Sequence, residues 1–179
     1  MSSTVQLLTV AEYEKIAPPP GGRYELHHGE LVLVTFPTHQ HNRIQRRLLR
    51  LLEERLSAYG EAATEFAFRP EPEHELWAAD VAVASEARSE SIQPAGWLFG
   101  APELVIEVLS PTNTAAEMNE REQMCLRNGC LEFWVVDPKL RLVKVSTPGG
   151  STVTYIQEKE IPLTRFGGSS PPVAAIFEP

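Results

Sequence analysis

The chain has 179 residues, is 42% hydrophobic and 22% charged, and carries a formal net charge of -8. That length suits a single folded domain over residues 1–179 with a substantial core, and the composition is that of an ordinary globular protein. An acidic chain is not drawn as a whole to nucleic acid, and no apolar run approaches the roughly 20 residues of a membrane span.

The N-terminus, from Met1 to Leu8, lacks the basic region and long apolar stretch of a signal peptide. A cytoplasmic protein without a membrane segment is therefore expected. Thr9-Val-Ala-Glu12 fits a capping box and predicts a short helix to about Ile16. Pro18 to Gly22 ends it. Tyr24–His27 and Gly29–Phe36 read as a hairpin turning at His28-Gly29. A second helix is predicted from His41 to about Tyr59, with Ile44, Leu48, Leu51, Leu52 and Leu56 on its apolar face. Strands follow near Glu65–Arg69 and Trp77–Ala84, then a polar loop from Ser85 to Gly100. Beyond it lie a strand at Leu104–Leu109, a helix at Thr114–Arg127 stopped by Gly129, and a strand at Leu131–Asp137. Leu140–Val145 is its hairpin partner, and Val153–Ile156 is a further strand. Phe133, Trp134, Val135 and Val136 form the strongest β-rich run and are expected to be buried. Val173–Phe177 is expected to dock at the end.

Two of these strands break their own pattern. Leu104 to Leu109 is apolar apart from Glu107, and Trp77 to Ala84 is apolar apart from Asp80. A buried carboxylate needs a cation, a set of hydrogen bonds or a proton opposite it. Taken singly, each acid is read as ending its strand or pairing with an Arg. Taken together on adjacent strands, they make a site for a hard cation such as magnesium. In the helix that follows, Glu117 and Arg121 are spaced i, i+4 and share a face, either as a solvated ion pair or with Arg121 reaching the carboxylates. His39 and His41 flank the start of the long helix. His39 reads as a surface residue. His41 lies on the side leading to Ile44 and Leu48 and is placed to bond a phosphate or a metal-bound water.

Arg43, Arg46, Arg47 and Arg50 form the one clear basic cluster. Cys125 and Cys130 read as buried thiols, since no second Cys or His pair offers zinc spacing. No glycine-rich phosphate loop, GxSxG elbow, HExxH or CxxC is present.

Several stretches, in order, carry a resemblance. They are Tyr24-Glu-Leu-His-His-Gly-Glu-Leu-Val32, His41 opening its helix, Ala79-Asp80-Val81, Pro102-Glu-Leu-Val-Ile-Glu-Val-Leu-Ser-Pro111, and Gly129-Cys-Leu-Glu-Phe-Trp-Val-Val-Asp-Pro138. Over about Leu8 to Val145 the chain resembles the Uma-two family of restriction-endonuclease-like proteins, within the PD-(D/E)xK nuclease superfamily. The resemblance implies an α/β fold with a mixed sheet flanked by helices, behind an N-terminal helix and hairpin. It implies an endonuclease that hydrolyses DNA with magnesium or manganese, and a homodimer. Its metal ligands fall on Asp80 and Glu107. Its lysine, moved to the following helix, falls on Arg121, with its acid on Glu117. Arg121 for lysine and Ala79 for proline are departures, and the first matters because a guanidinium does not deprotonate in proteins. The catalytic set implied is Asp80, Glu107, Arg121 and His41. The alternative is a catalytically silent homodimer or binding module in which Arg121 neutralises Asp80 and Glu107. A two-carboxylate glycosidase lacks any sugar-stacking aromatic pattern.

Overall fold

The computed structural model describes residues 7–178. Residues 1–6, read above for a signal peptide, lie outside them. The Thr9 hydroxyl accepts from the Glu12 N–H while the Glu12 carboxylate accepts from the Thr9 N–H, the reciprocal bonds of a capping box. The helix they start, α1 (Val10–Tyr13), is shorter than the expected run to Ile16. Lys15 and Ile16 instead donate to the Glu12 and Tyr13 carbonyls three residues back, so the chain tightens into turns before Pro18. β1 (Gly22–His27) and β2 (Glu30–Thr35) form the expected hairpin, with His28 at φ 51° and Gly29 at φ 76°. That left-handed pair is what a two-residue hairpin turn of matching twist requires. Leu26 exchanges both backbone hydrogen bonds with Leu76, which ties the hairpin to the main sheet.

α2 (His39–Leu56) starts at the Thr38 cap rather than at His41, and it lays Ile44, Leu48, Leu52 and Leu56 on the sheet. β3 (Gly60–Arg69) begins earlier than the expected Glu65 and pairs with β4 (Trp77–Ser85). The predicted mobile loop at Ser85–Gly100 instead holds α3 (Glu86–Glu90) and β5 (Leu98–Phe99). Arg88 straps this segment down by donating to the Ala101 and Phe99 carbonyls, each at 2.7 Å. Elements this short show no readable period. β6 (Leu104–Val108), α4 (Ala115–Arg127) and β7 (Glu132–Asp137) follow as a strand–helix–strand unit, with β6 and β7 parallel. Then come β8 (Leu142–Thr147), β9 (Ser151–Tyr155), a 3-10 turn (Thr164–Phe166) and α5 (Ala174–Phe177).

Seven strands make one mixed sheet in the order β5-β3-β4-β6-β7-β8-β9, flanked by helices as expected. Side chains alternate between its faces. Leu104, Ile106, Val108, Trp134 and Val136 pack with α2, whereas Val105 and Phe133 pack with Met124 and Cys125 of α4. Phe133, Trp134 and Val136 are buried and Val135 is half-buried. Cys125 and Cys130 are free and buried, and burial raises both thiol pKa values, that of Cys130 to about 12. Among the described residues no helix is long and apolar enough to cross a membrane.

Candidate active site: an acid cluster around Arg121

β4 and β6 run antiparallel with Val81 opposite Ile106. Carried one residue further, that register sets Asp80 opposite Glu107. Directly opposed residues have Cβ atoms about 4.5–5.5 Å apart, so the two acids are neighbours. The Asp80 Oδ1 accepts from His41 Nε2 at 2.9 Å and Gln45 Nε2 at 3.0 Å, and its Oδ2 accepts from the Val108 N–H at 2.7 Å. His41 and Gln45 are one turn apart on α2, so a single helix face delivers both donors.

Glu107 faces α4. Arg121 donates to its Oε1 from Nε at 3.1 Å and Nη2 at 2.8 Å. Nη1 also reaches the Glu25 carboxylate at 3.1 Å, and Nη2 reaches the Ala78 carbonyl at 2.7 Å. The guanidinium lies over the Trp77 ring, 5.1 Å from its centroid. Of the five N–H donors of an arginine, one remains without a partner among the described residues. Glu117, expected to share the Arg121 face, is instead exposed and closes a capping box with Thr114. That box fixes the start of α4 and hence the turn on which Arg121 sits.

Sequence reasoning missed five contributors. Arg23, Glu25 and His27 alternate along β1 and so share one face of it. Arg23 bonds Glu25 at 3.1 Å and also pairs with Glu65. His27 bonds Glu25 at 2.9 Å and stacks on Trp77, with centroids 5.0 Å apart. Their i, i+2, i+4 spacing was the available signal. Gln45, four residues after His41, bridges Asp80 to Glu65 with a 2.6 Å bond to the latter. Glu65 lies opposite Asp80 between the pairs Thr64–Val81 and Phe66–Ala79, with φ at 53°. A side chain held in that left-handed region costs about 1–3 kcal/mol, and such strain clusters at functional sites. Nothing in the local sequence announces it.

The cluster holds four carboxylates (Glu25, Glu65, Asp80, Glu107) against two guanidiniums (Arg23, Arg121), a surplus of two negative charges while His27 and His41 are neutral. Burial raises the Glu107 pKa to about 8, with Arg121 opposing and Asp80 and Glu25 adding to the rise. Burial also acts upward on Glu25, but Arg121, His27 and Arg23 outweigh it and hold that carboxyl at about 2. Burial lowers the His41 pKa, while the Asp80 hydrogen bond and the Asp80 and Glu65 charges raise it further, so the net shift is upward.

Among the described residues no three His, Cys, Asp or Glu side chains are arranged to share an ion. That excludes a closed zinc or calcium cage but not magnesium, which takes one or two carboxylates and completes its shell with water and substrate phosphate. Asp80 and Glu107 fit that smaller demand. The Glu107 Oε2 has no hydrogen-bond partner among the described residues, and the side chain is 10% exposed. His39 is exposed and stands apart.

The solved structure of an Anabaena variabilis protein, described as "a putative nuclease belonging to DUF820", superposes on this chain with a TM-score of 0.79 at 20% identity. The match covers 95% of this chain and 97% of that one, and it shows a shared fold. Among curated proteins none matches this sequence. The Uma2 family, described as "Putative restriction endonuclease", matches residues 10–169. The chain belongs to the Uma2 family.

Proposed function

We propose that this chain is a magnesium- or manganese-dependent endonuclease that hydrolyses phosphodiester bonds of DNA. The observation that carries the reading is the Asp80–Glu107 pair, set opposite each other in a buried cluster where carboxylates outnumber guanidiniums four to two. Asp80 and Glu107 would hold the ion. When bound, it supplies a Lewis acid for a phosphoryl oxygen and lowers the pKa of a coordinated water. Val108, Gln45 and His41 fix the Asp80 carboxylate, so the site is held before substrate arrives. The remaining Arg121 N–H and its full charge would stabilise negative charge developing on the phosphate. Protonated His41, at the edge of the same cluster, would orient a phosphate oxygen or water.

The test is nicking of supercoiled plasmid with magnesium or manganese. Asp80→Asn and Glu107→Gln should each lower the rate by about 100-fold or more, the scale for losing one preorganised charge. Arg121→Lys should keep or raise the rate, because it restores the residue usual in the superfamily, and Arg121→Ala should lower it. No nicking by wild type or Arg121→Lys with either ion would overturn the reading.

A second reading rests on the commitment of Arg121. Its bonds to Glu107, Glu25 and the Ala78 carbonyl already compensate the buried acids. On that reading the cluster is a structural ion pair in a catalytically silent binding module. Nothing then constrains the acids to remain, since apolar replacement of a whole buried ion pair is often neutral or stabilising.

A further inference from the structure

We propose that the cleft between the start of α2 and the β7–β8 turn binds a phosphate group of the nucleic-acid strand whose scissile bond lies at the acid cluster. This rests on the nuclease reading above. The cleft is a cavity of about 340 Å³ lined by His39, Arg43, Arg47, Pro138, Arg141 and Phe177 among others. It concentrates three guanidiniums and an imidazole in a chain whose net charge is -8.

Two of the three arginines are held in place. Arg47 donates to the Phe177 carbonyl at 2.7 Å. Arg141 donates to Glu178 at 2.9 Å and to Gln157 at 2.8 Å, and it lies over the Phe177 ring. Arg43 is exposed and has no partner among the described residues. Glu178, the one carboxylate in contact with these arginines among the described residues, is shared with Gln157. Partial desolvation lowers the Arg47 pKa, and the charges of Arg43, Arg141 and Arg50 lower it further. A bound anion would relieve that crowding, and forked guanidiniums match phosphate oxygens two at a time.

Position links the cleft to the acid cluster. His41 and Gln45 occupy one face of α2, while Arg43 and Arg47, each two residues further on, lie nearly half a turn around it, at 3.6 residues per turn. Glu107 is in register with Val135, and Pro138 stands three residues further along the neighbouring parallel strand. At about 3.3 Å per residue and 4.8 Å between strands, the Glu107 and Pro138 backbones are about 11 Å apart at the same end of the sheet. Successive phosphates of one strand lie further apart than their roughly 3.4 Å rise along the axis, so that distance holds about two of them at most. The phosphate bound in the cleft is therefore within about two nucleotides of the cut.

The test uses a fluorescein-labelled duplex about two helical turns long, read by anisotropy in EDTA over a salt series, with inorganic phosphate titrated calorimetrically in parallel. The proteins are wild type, Arg43→Gln, Arg43→Gln/Arg47→Gln and Asp80→Asn. Loss of the cleft contact should weaken duplex binding about tenfold and flatten the log–log salt slope by about one. Asp80→Asn should bind at least as well as wild type. Because Arg43 has no partner among the described residues, its single variant carries the test even where the double variant unfolds. If wild type binds inorganic phosphate but no duplex, and Arg43→Gln loses the phosphate, the cleft is a phosphate site for a free anion and the nuclease reading fails. Equal duplex affinity and salt slope in wild type and both arginine variants would overturn the cleft proposal while leaving the acid cluster untouched. Failure of wild type to bind either probe would overturn it as well.

Discussion

Arg121→Ala should destabilise the fold by about 3–5 kcal/mol near neutral pH, the scale for removing one partner of a buried ion pair. The variant leaves Glu107 and Glu25 buried without their shared cation, and it strips the donor from the Ala78 carbonyl. The pH dependence has a definite sign. In wild type the Glu25 carboxyl sits at about 2 against an ordinary 4.5, so its stabilisation is present above about 4.5 and is lost as pH falls toward 2. In the variant Glu107 loses the cation that opposes its burial and Glu25 keeps only His27 and Arg23 against its own, so both carboxyls rise from their wild-type values. Their penalty is absent where both states are protonated and grows as pH rises through 4.5. The two stability curves should therefore diverge near neutrality and converge in acid. Magnesium should narrow the neutral gap if the cluster accepts it. Urea titrations near neutrality and near about pH 4, with and without magnesium, measure this. A uniform loss at both pH values would show that Arg121 acts through packing on Trp77 rather than through charge.

Trp134→Ala should also cost about 3–5 kcal/mol. The indole is 0% exposed in the middle of β7, between β6 and β8, and it packs into the α2-side core. Its Nε1–H donates to the Glu132 carboxylate at 2.9 Å, and that carboxyl is already raised by burial. Truncation leaves a cavity and a buried acid with one donor fewer. A loss under about 1 kcal/mol in denaturant melts would contradict this placement, being less than a well-packed core aromatic costs on truncation.

The strands with strong apolar runs were legible because periodicity and β-branched content report burial directly. Glu107 and Asp80 stood out for the same reason, as charges interrupting those runs. Arg121 and His41 were also read toward these acids, and they bond Glu107 and Asp80, but the rest of the site was not legible, because its other members come together only through tertiary register. Arg23, Glu25 and His27 become site residues because the Leu26–Leu76 bridge brings β1 against the start of β4. Glu65 becomes one because the β3–β4 register sets it opposite Asp80. Glu117 went the other way. Its spacing from Arg121 suggested a shared role, but the stronger local demand was a partner for the Thr114 cap. The arginine cluster of α2 was visible as composition, yet its division was not. Arg43 and Arg47 face a cleft completed by Arg141, about a hundred residues later in sequence, whereas Arg46 and Arg50 remain exposed.

The central claim is that Asp80 and Glu107 form a divalent-cation site. Calorimetric titration of magnesium and manganese into wild type and Asp80→Asn tests it most directly. Wild type should bind with saturable heat and release protons, because burial holds the Glu107 carboxyl near 8 and the ion requires it ionised. Proton release, read by repeating the titration in buffers of different ionisation enthalpy, should grow as pH is lowered from 8. Asp80→Asn should abolish saturable binding while the protein stays folded. No saturable binding by wild type, or equal binding by Asp80→Asn, would contradict the claim and leave Arg121 as the cluster's only compensating cation for Glu107.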